Sequence, residues 1–381
     1  MKKATQYFHI VVIAASLVLF LSACGGGGRT FSSSTEEDIS LHYAENLKLI
    51  RGEGYIEARL RNPWDTTSTL HTYILVDKNA EVPQHIPDGT LVRTPLENAL
   101  VYTAVHCSLI KELEAVGSIG GVCELQYIKV PEVIEGCRNG SIVDAGDGMN
   151  PDIEKIIDLH PDALMLSPFE NSGGHGRVDK LDIPIIECAD YMETSPLGRA
   201  EWMRFYGMLF GREAQADSLF AVVEEKYSEL KQMVTDANPE KPTLITDLKS
   251  GSAWYVPGGR STMGQLYADA GAQYVFIDRN VSSSIPLSFE TVFERGQDAQ
   301  LWLVKYNQPQ DMTYEQMERD YAPYAGFRAF KERHIYGCNT AYVPFYEDFP
   351  FHPDLVLKDM IKIFHPDMLP DYELKYYTPL K

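Results

Sequence analysis

Asn150-Pro151-Asp152-Ile153-Glu154-Lys155-Ile156-Ile157-Asp158-Leu159, followed by His160-Pro161 and then Asp162-Ala163-Leu164-Met165-Leu166-Ser167, decides the fold. Asn150 suits a helix N-cap, Pro151 suits the first helical position, and the early acids favour the positive end of the helix. His160-Pro161 stops the helix, and the apolar run from Ala163 to Ser167 reads as a strand buried on both faces. A helix feeding straight into such a strand is the building unit of a parallel α/β sheet. The pattern recurs downstream: Ser288-Phe289-Glu290-Thr291-Val292-Phe293, then Asp298-Ala299, then Leu301-Trp302-Leu303. Aligning the two copies sets Glu154 on Glu290 and Asp162 on Asp298. A second echo pairs Leu113-Glu114-Ala115-Val116-Gly117 with Tyr267-Ala268-Asp269-Ala270-Gly271. Two echoes in the same order point to two related lobes.

Working outward, Tyr55 to Leu60 and Leu70 to Asp77 alternate apolar and polar residues as half-buried strands do, with a turn at Asn62-Pro63-Trp64-Asp65 between them. From Leu100 to Ala104 a short strand leads into a helix that Gly117 is placed to cap. Ile183 to Ile186 starts another strand. Pro196 to Val234 is a long helical pattern, with Trp202, Phe205, Tyr206, Phe220, Val223 and Tyr227 on its apolar face and only Gly207 and Gly211 interrupting. It reads as one helix, or two nearly continuous ones, crossing between lobes. Asn238 to Pro242 breaks it, and strands and helices resume from Thr243 to Lys305. The expected architecture is α/β: two lobes with mainly parallel sheets covered by helices, joined by a long interlobe helix, plus an N-terminal β-rich segment. The expected boundaries are 1–23 for a signal peptide, 24–40 for a flexible tether and 41–92 for the β-rich segment. The first lobe then takes 93–195, the interlobe helix 196–236 and the second lobe 237–381.

The start of the chain carries Lys2 and Lys3, an apolar run from Ile10 to Leu21 and then Leu21-Ser22-Ala23-Cys24 before four glycines. Charged start, apolar core and small-residue cleavage zone make a signal peptide. Cys24 after Leu-Ser-Ala resembles the lipobox of bacterial lipoproteins, which implies lipidation at Cys24 and a body tethered to a membrane in the cell envelope, facing the periplasm. A net charge of -20 over 381 residues argues against nucleic acid as a partner. Five cysteines remain besides Cys24 (Cys107, Cys123, Cys137, Cys188, Cys338), an odd number with no CxxC and no zinc-type spacing, so this is no disulfide scaffold.

Two α/β lobes, a long helix between them and a lipid anchor resemble the periplasmic substrate-binding proteins of ABC importers, in the branch that binds vitamin B12, ferric siderophores or haem. The segment from Asn150 to Leu164, the segment Ser288 to Phe293 with Asp298-Ala299, and Phe351-His352-Pro353-Asp354-Leu355-Val356-Leu357 with Ile363-Phe364-His365-Pro366 carry the likeness, which spans Pro95 to Pro370. The resemblance implies a monomer that captures an iron complex or cobalamin between its lobes and delivers it to a permease and its ATPase. It also implies that Glu154 and Glu290 dock on that permease, and that the protein is not an enzyme and keeps no cofactor of its own. The region His42 to Val92 lies outside the likeness. The first strand also departs from it, reading Tyr102-Thr103-Ala104-Val105-His106 where the family has a Ser-Pro turn.

Ligands of such folds sit at the carboxyl ends of the strands, so the loops there supply the candidates. They are His106, Tyr127, Phe169 and His175 in the first lobe, and Trp254, Tyr255, Arg260, Tyr306 and Tyr346 in the second. Aromatic walls suit a bulky metal chelate and an arginine suits an anionic one. His106 and His175 could ligate haem iron or cobalt. No set of His, Asp and Glu is spaced as a dedicated metal site, so none is assigned. GxSxG, HExxH and P-loop patterns are missing from the sequence. A cell-envelope lipoprotein enzyme and a free metal-ion-binding protein are the alternatives.

Overall fold

The computed structural model describes residues 37–170 and 174–381. The signal peptide and Cys24 lie outside the described residues, as does most of the tether.

The chain first builds a sheet of β1 (Glu37–Ile39), β2 (Leu47–Gly52), β3 (Tyr55–Arg61), β4 (Thr69–Asp77) and β5 (Thr90–Thr94), in that spatial order. It is antiparallel except for β4 and β5, which run parallel. β1 falls within the stretch expected to be tether, and the sheet runs two residues past the expected end at 92. Alternation drives Leu49, Ala58, Leu60, Tyr73 and Leu75 into the core.

The first lobe is an all-parallel sheet in the order β10-β9-β6-β7-β8. Its strands are β6 (Ala99–Val101), β7 (Ile119–Val122), β8 (Val143–Asp144), β9 (Ala163–Leu166) and β10 (Ile185–Glu187), with helices α1 (Ala104–Glu112), α2 (Pro131–Asn139) and α3 (Ile153–Leu159) between them. Every residue of β6 and β9 is buried, as a two-sided parallel sheet requires. The capping differs in detail from expectation. α3 is capped by Asp152, whose carboxylate accepts the N–H groups of Glu154 and Lys155, while Asn150 donates its own N–H to Asp147 in a preceding turn. α1 ends five residues before Gly117, and Glu114 takes the left-handed position instead.

Three helices follow: α4 (Pro196–Glu201), α5 (Met203–Leu209) and α6 (Glu213–Ala237). The expected helical stretch from Pro196 to Val234 is therefore interrupted, and its longest piece, α6, is the long helix between the lobes. A Cβ on Gly207 would stand 2.5 Å from the Ala216 methyl, and Gly211 sits at φ +64°. Glycine at both positions lets the chain fold α6 back against α5. α6 alone spans about 37 Å at 1.5 Å per residue, and it buries Ala216, Phe220, Val223, Tyr227 and Val234.

The second lobe is built on the order β14-β11-β16-β17-β18. It contains β11 (Thr243–Thr246), β12 (Lys249–Ser250), β13 (Ala253–Pro257), β14 (Gln273–Tyr274), β15 (Ser284–Leu287), β16 (Leu301–Tyr306), β17 (Ile335–Asn339) and β18 (Thr378–Pro379). All neighbours in that order are parallel except the last pair, and β12, β13 and β15 form a small antiparallel sheet beside it. Helices α7 (Thr262–Asp269), α8 (Phe289–Gly296), α9 (Tyr314–Asp320), α10 (Arg328–Lys331), α11 (Phe345–Asp348) and α12 (Pro353–Phe364) complete it. One continuous apolar core runs from Leu49 of the N-terminal sheet through Trp202 and Phe220 to Trp254 and Trp302. All five cysteines in the described residues are free.

Two buried carboxylates fasten the N-terminal sheet to the helices. Glu201 accepts the backbone N–H groups of His42, Tyr43 and Ala44 at 2.8, 2.8 and 2.9 Å. Glu193 accepts those of Glu45 and Asn46, with the Trp202 indole N–H at 2.8 Å. Beside them His106 corrects an expectation. It is 3% exposed on the first turn of α1, because the helix starts directly after the strand with Thr103 as cap. Its Nδ1 is 2.6 Å from Thr103 Oγ1, and its Nε2 meets Asp190 Oδ1 and the Tyr206 hydroxyl, each at 3.1 Å. Asp190 also accepts from Tyr206 at 2.8 Å and from Arg199 at 3.0 Å. His106 is a core residue of this network, closed off from the surface.

Two outcomes follow. Glu201→Ala takes a fully buried acceptor from three backbone N–H donors and should cost about 3 kcal/mol, read as a lower urea midpoint with an unchanged slope; a shift within error would refute the clamp. The network should also shape stability against pH. Burial opposes the His106 charge, but Cys188 and Asp190 outweigh it and raise its pKa. Burial likewise opposes the Asp190 charge, but His106 and Arg199 outweigh it and lower its pKa. The raised histidine contributes fully below 6.5, the lowered aspartate fully above 3.8. Stability from this pair is therefore complete between those values and declines on either side. In Asp190→Asn, melting temperature plotted against pH should flatten at both ends, and unchanged slopes would show that the network does not titrate.

Candidate functional site

The carboxyl ends of β6, β7, β8 and β9 open into a cavity of about 560 Å³. Tyr102 and Thr103 follow β6, Glu124 follows β7, Gly148, Met149 and Pro151 precede α3, Leu166 ends β9, and Ser167, Phe169, Gly174, His175, Gly176 and Val178 follow it. The wall is mainly apolar, with a few polar groups set into it. Glu124 stands at φ +55°, so its carboxylate turns back to accept the Gly148 N–H at 2.8 Å and the Gln126 amide at 2.6 Å. The Tyr102 hydroxyl is buried without a hydrogen-bond partner, and burial raises its pKa. His175 Nε2 lies 2.9 Å from Glu187 Oε1. Among the described residues no lysine or arginine lines the cavity.

Of the sequence candidates, Phe169 and His175 meet here. Tyr127 is 59% exposed in a turn after β7 and lies outside the cavity wall. Trp254 requires a correction: it is fully buried, stacked on Trp302 at 5.6 Å with its indole N–H donated to the Thr246 carbonyl. The aromatic at that place in β13 packs the lobe core. Tyr306 is half-buried, with its hydroxyl accepting the Met312 N–H at 3.1 Å. Tyr255 and Tyr346 are each 53% exposed, and Arg260 is exposed just before α7. None of these second-lobe residues lines the first-lobe cavity.

Two features escaped sequence reasoning. Asp247, at φ +62° just past the end of β11, reaches Lys305 at the end of β16, with 2.6 Å from Oδ1 to Nζ. The distance is that of an ion pair, although the alignment is not that of a hydrogen bond. Burial opposes the Lys305 charge, yet Asp247 outweighs it and raises the pKa. The hydroxyls of Tyr267 and Tyr377 beside this pair are buried and unpartnered. The second feature joins the lobes: Lys129 donates to the carbonyls of Thr340 and Val343 at 2.6 and 3.0 Å, and His352 Nε2 meets Glu112 at 2.5 Å. No sequence pattern flags pairs so distant along the chain. Glu154 and Glu290 are both exposed in the first turns of α3 and α8. Among the described residues no three His, Cys, Asp or Glu side chains converge as a metal site, and no helix is long and apolar enough to cross a membrane.

The geometry matches known proteins. An uncharacterized lipoprotein of Methanocaldococcus jannaschii is 25% identical over 349 residues, covering 86% of this chain and 82% of its own. A possible iron-binding periplasmic solute-binding protein of Staphylococcus epidermidis superposes with a TM-score of 0.56 at 16% identity, over 71% of this chain and 100% of its own. Helicobacter pylori CeuE with Ni(II) bound gives 0.58 at 11% identity, over 74% and 88%. The two solved structures match no more of the chain than the lobes and connecting helices make up, whereas the lipoprotein match must reach into the N-terminal sheet. A family model described as periplasmic binding protein matches residues 122–342, more than half of the chain, and the chain belongs to that family.

Proposed function

We propose that this protein is a lipid-anchored substrate-binding protein of an ABC importer. On this reading it captures a metal chelate, an iron complex or cobalamin, at the carboxyl ends of the first-lobe strands and hands it to a membrane permease. The observation that carries the reading is the cavity itself. Its volume suits a small molecule, its wall is mostly apolar with an aromatic ring in Phe169, and it holds a few fixed polar groups. Family membership supports the importer. Lipoprotein relatives and the Leu21 to Cys24 motif support the anchor, facing the periplasm. Glu154 and Glu290 support docking, since each is an exposed carboxylate on the first turn of a helix, at equivalent places in the two lobes. Carboxylates so placed can steer and register a basic partner surface.

Two experiments test this. The full chain in detergent, incubated in turn with haemin, cobalamin and ferric siderophores and then desalted, should retain one chromophore at one per protein; a colourless protein fraction from every mixture would refute the chelate. In proteoliposomes carrying the importer, Glu154→Lys with Glu290→Lys should lower ligand uptake by about tenfold or more while ligand binding stays unchanged. Uptake at the original rate in that double variant would remove both residues from docking.

A further inference from the structure

His175 is held with more care than packing needs. Gly174 and Gly176 on either side of it adopt φ +117° and +69°. A Cβ on Gly174 would stand 2.6 Å from Asp179 Oδ2, the oxygen that accepts the His175 N–H at 2.7 Å. The loop is thus shaped around this residue. Glu187, which fixes Nε2, closes β10 and is itself fixed: its N–H donates to the Tyr73 hydroxyl at 2.8 Å, and that hydroxyl donates to the Ile185 carbonyl at 2.8 Å. Tyr73 is fully buried in β4, with the His71 ring stacked on it at 4.4 Å. An imidazole with one nitrogen tied to a carboxylate offers the lone pair of the other, and such outer partners are what orient a metal-ligating histidine.

We propose that His175 binds directly to the metal of the chelate that the cavity takes, and that the N-terminal sheet orients it through Tyr73 and Glu187. The proposal rests on the chelate-binding reading above and adds the chelate's class. One imidazole cannot hold a bare ion, which needs several protein ligands. It can fill a single position left open by a chelator that supplies four or five donors, whereas a chelator with six leaves no such position. The exchange is balanced: a metal–water bond breaks, a metal–Nδ1 bond forms, no oxidation state changes, and any Nδ1 proton passes to solvent. Glu187, Asp179 and His71 are the titratable groups around the ring.

The test compares chelates with open and filled positions on the full chain in detergent. The probes are haemin, aquocobalamin against cyanocobalamin, and ferric complexes of a four-donor bis-hydroxamate against a six-donor tris-hydroxamate. Wild type should bind an open-position probe with the visible band shift of imidazole coordination. His175→Ala should lose the shift and bind that probe about tenfold more weakly, and free imidazole should restore the shift. Glu187→Gln and Tyr73→Phe should weaken the open-position probe severalfold and leave filled-position binding unaltered. If a filled-position chelate is retained but no open-position probe changes its spectrum between wild type and His175→Ala, the proposal falls and the chelate reading stands. If no chelate of either kind is retained, both fall.

Discussion

Two glutamates that no solvent reaches hold five successive backbone N–H groups, those of residues 42 to 46, and the arrangement of the molecule depends on that grip. A buried carboxylate is expensive unless its oxygens are fully hydrogen-bonded, and here amides supply the donors at almost every available position. In return, the first strands of the N-terminal sheet are tied to α4 and to the turn before it. The sheet can then lay Tyr73 against β10, and Lys78 can reach Asp162 at 2.8 Å beside the start of β9. A segment that the sequence leaves without a role becomes a brace along the edge strand of the first lobe.

What the sequence conveyed well was local and periodic. The run from Asp152 to Leu166 reads as helix then buried strand because apolar spacing and capping chemistry act within a few residues. The echo at Ser288 to Leu303 reads for the same reason, and it carries the two-lobed α/β fold. What it hid was long-range. The grip of Glu201 on the N–H groups of His42, Tyr43 and Ala44 spans 157 to 159 positions, and nothing near either segment announces the pairing. The break between α5 and α6 depends on how closely Gly207 approaches Ala216 once the chain has turned.

The site was legible only in part, for a related reason. His106 and Trp254 have the composition of ligand-binding residues, but polar and aromatic groups are also what a large core uses when partners exist for them. His106 found Asp190, 84 positions away, and Trp254 found Trp302. Neither partner can be inferred from its own neighbourhood in the chain. That Phe169 and His175 line the cavity was recoverable because the loop after a parallel strand opens at the carboxyl edge whatever the rest of the fold does.

The same contacts set how far the lobes can move. The core is continuous from the N-terminal sheet through α4 to α6 into the second lobe, so no apolar seam lies ready to part. Lys129 on two carbonyls and the His352–Glu112 pair cross from one lobe to the other, and each, being partly exposed, is worth about 1 kcal/mol if broken. A ligand would need to favour a rearranged state by about 5.5 kcal/mol to reverse a 1:99 population. Binding energy spent on such a rearrangement is lost to affinity. A cavity shaped in advance by glycines at positive φ, and an imidazole oriented through a chain of fixed partners, spends little of it. Preorganisation of the first lobe, with the second held close by a few polar pins, is the arrangement that these contacts favour.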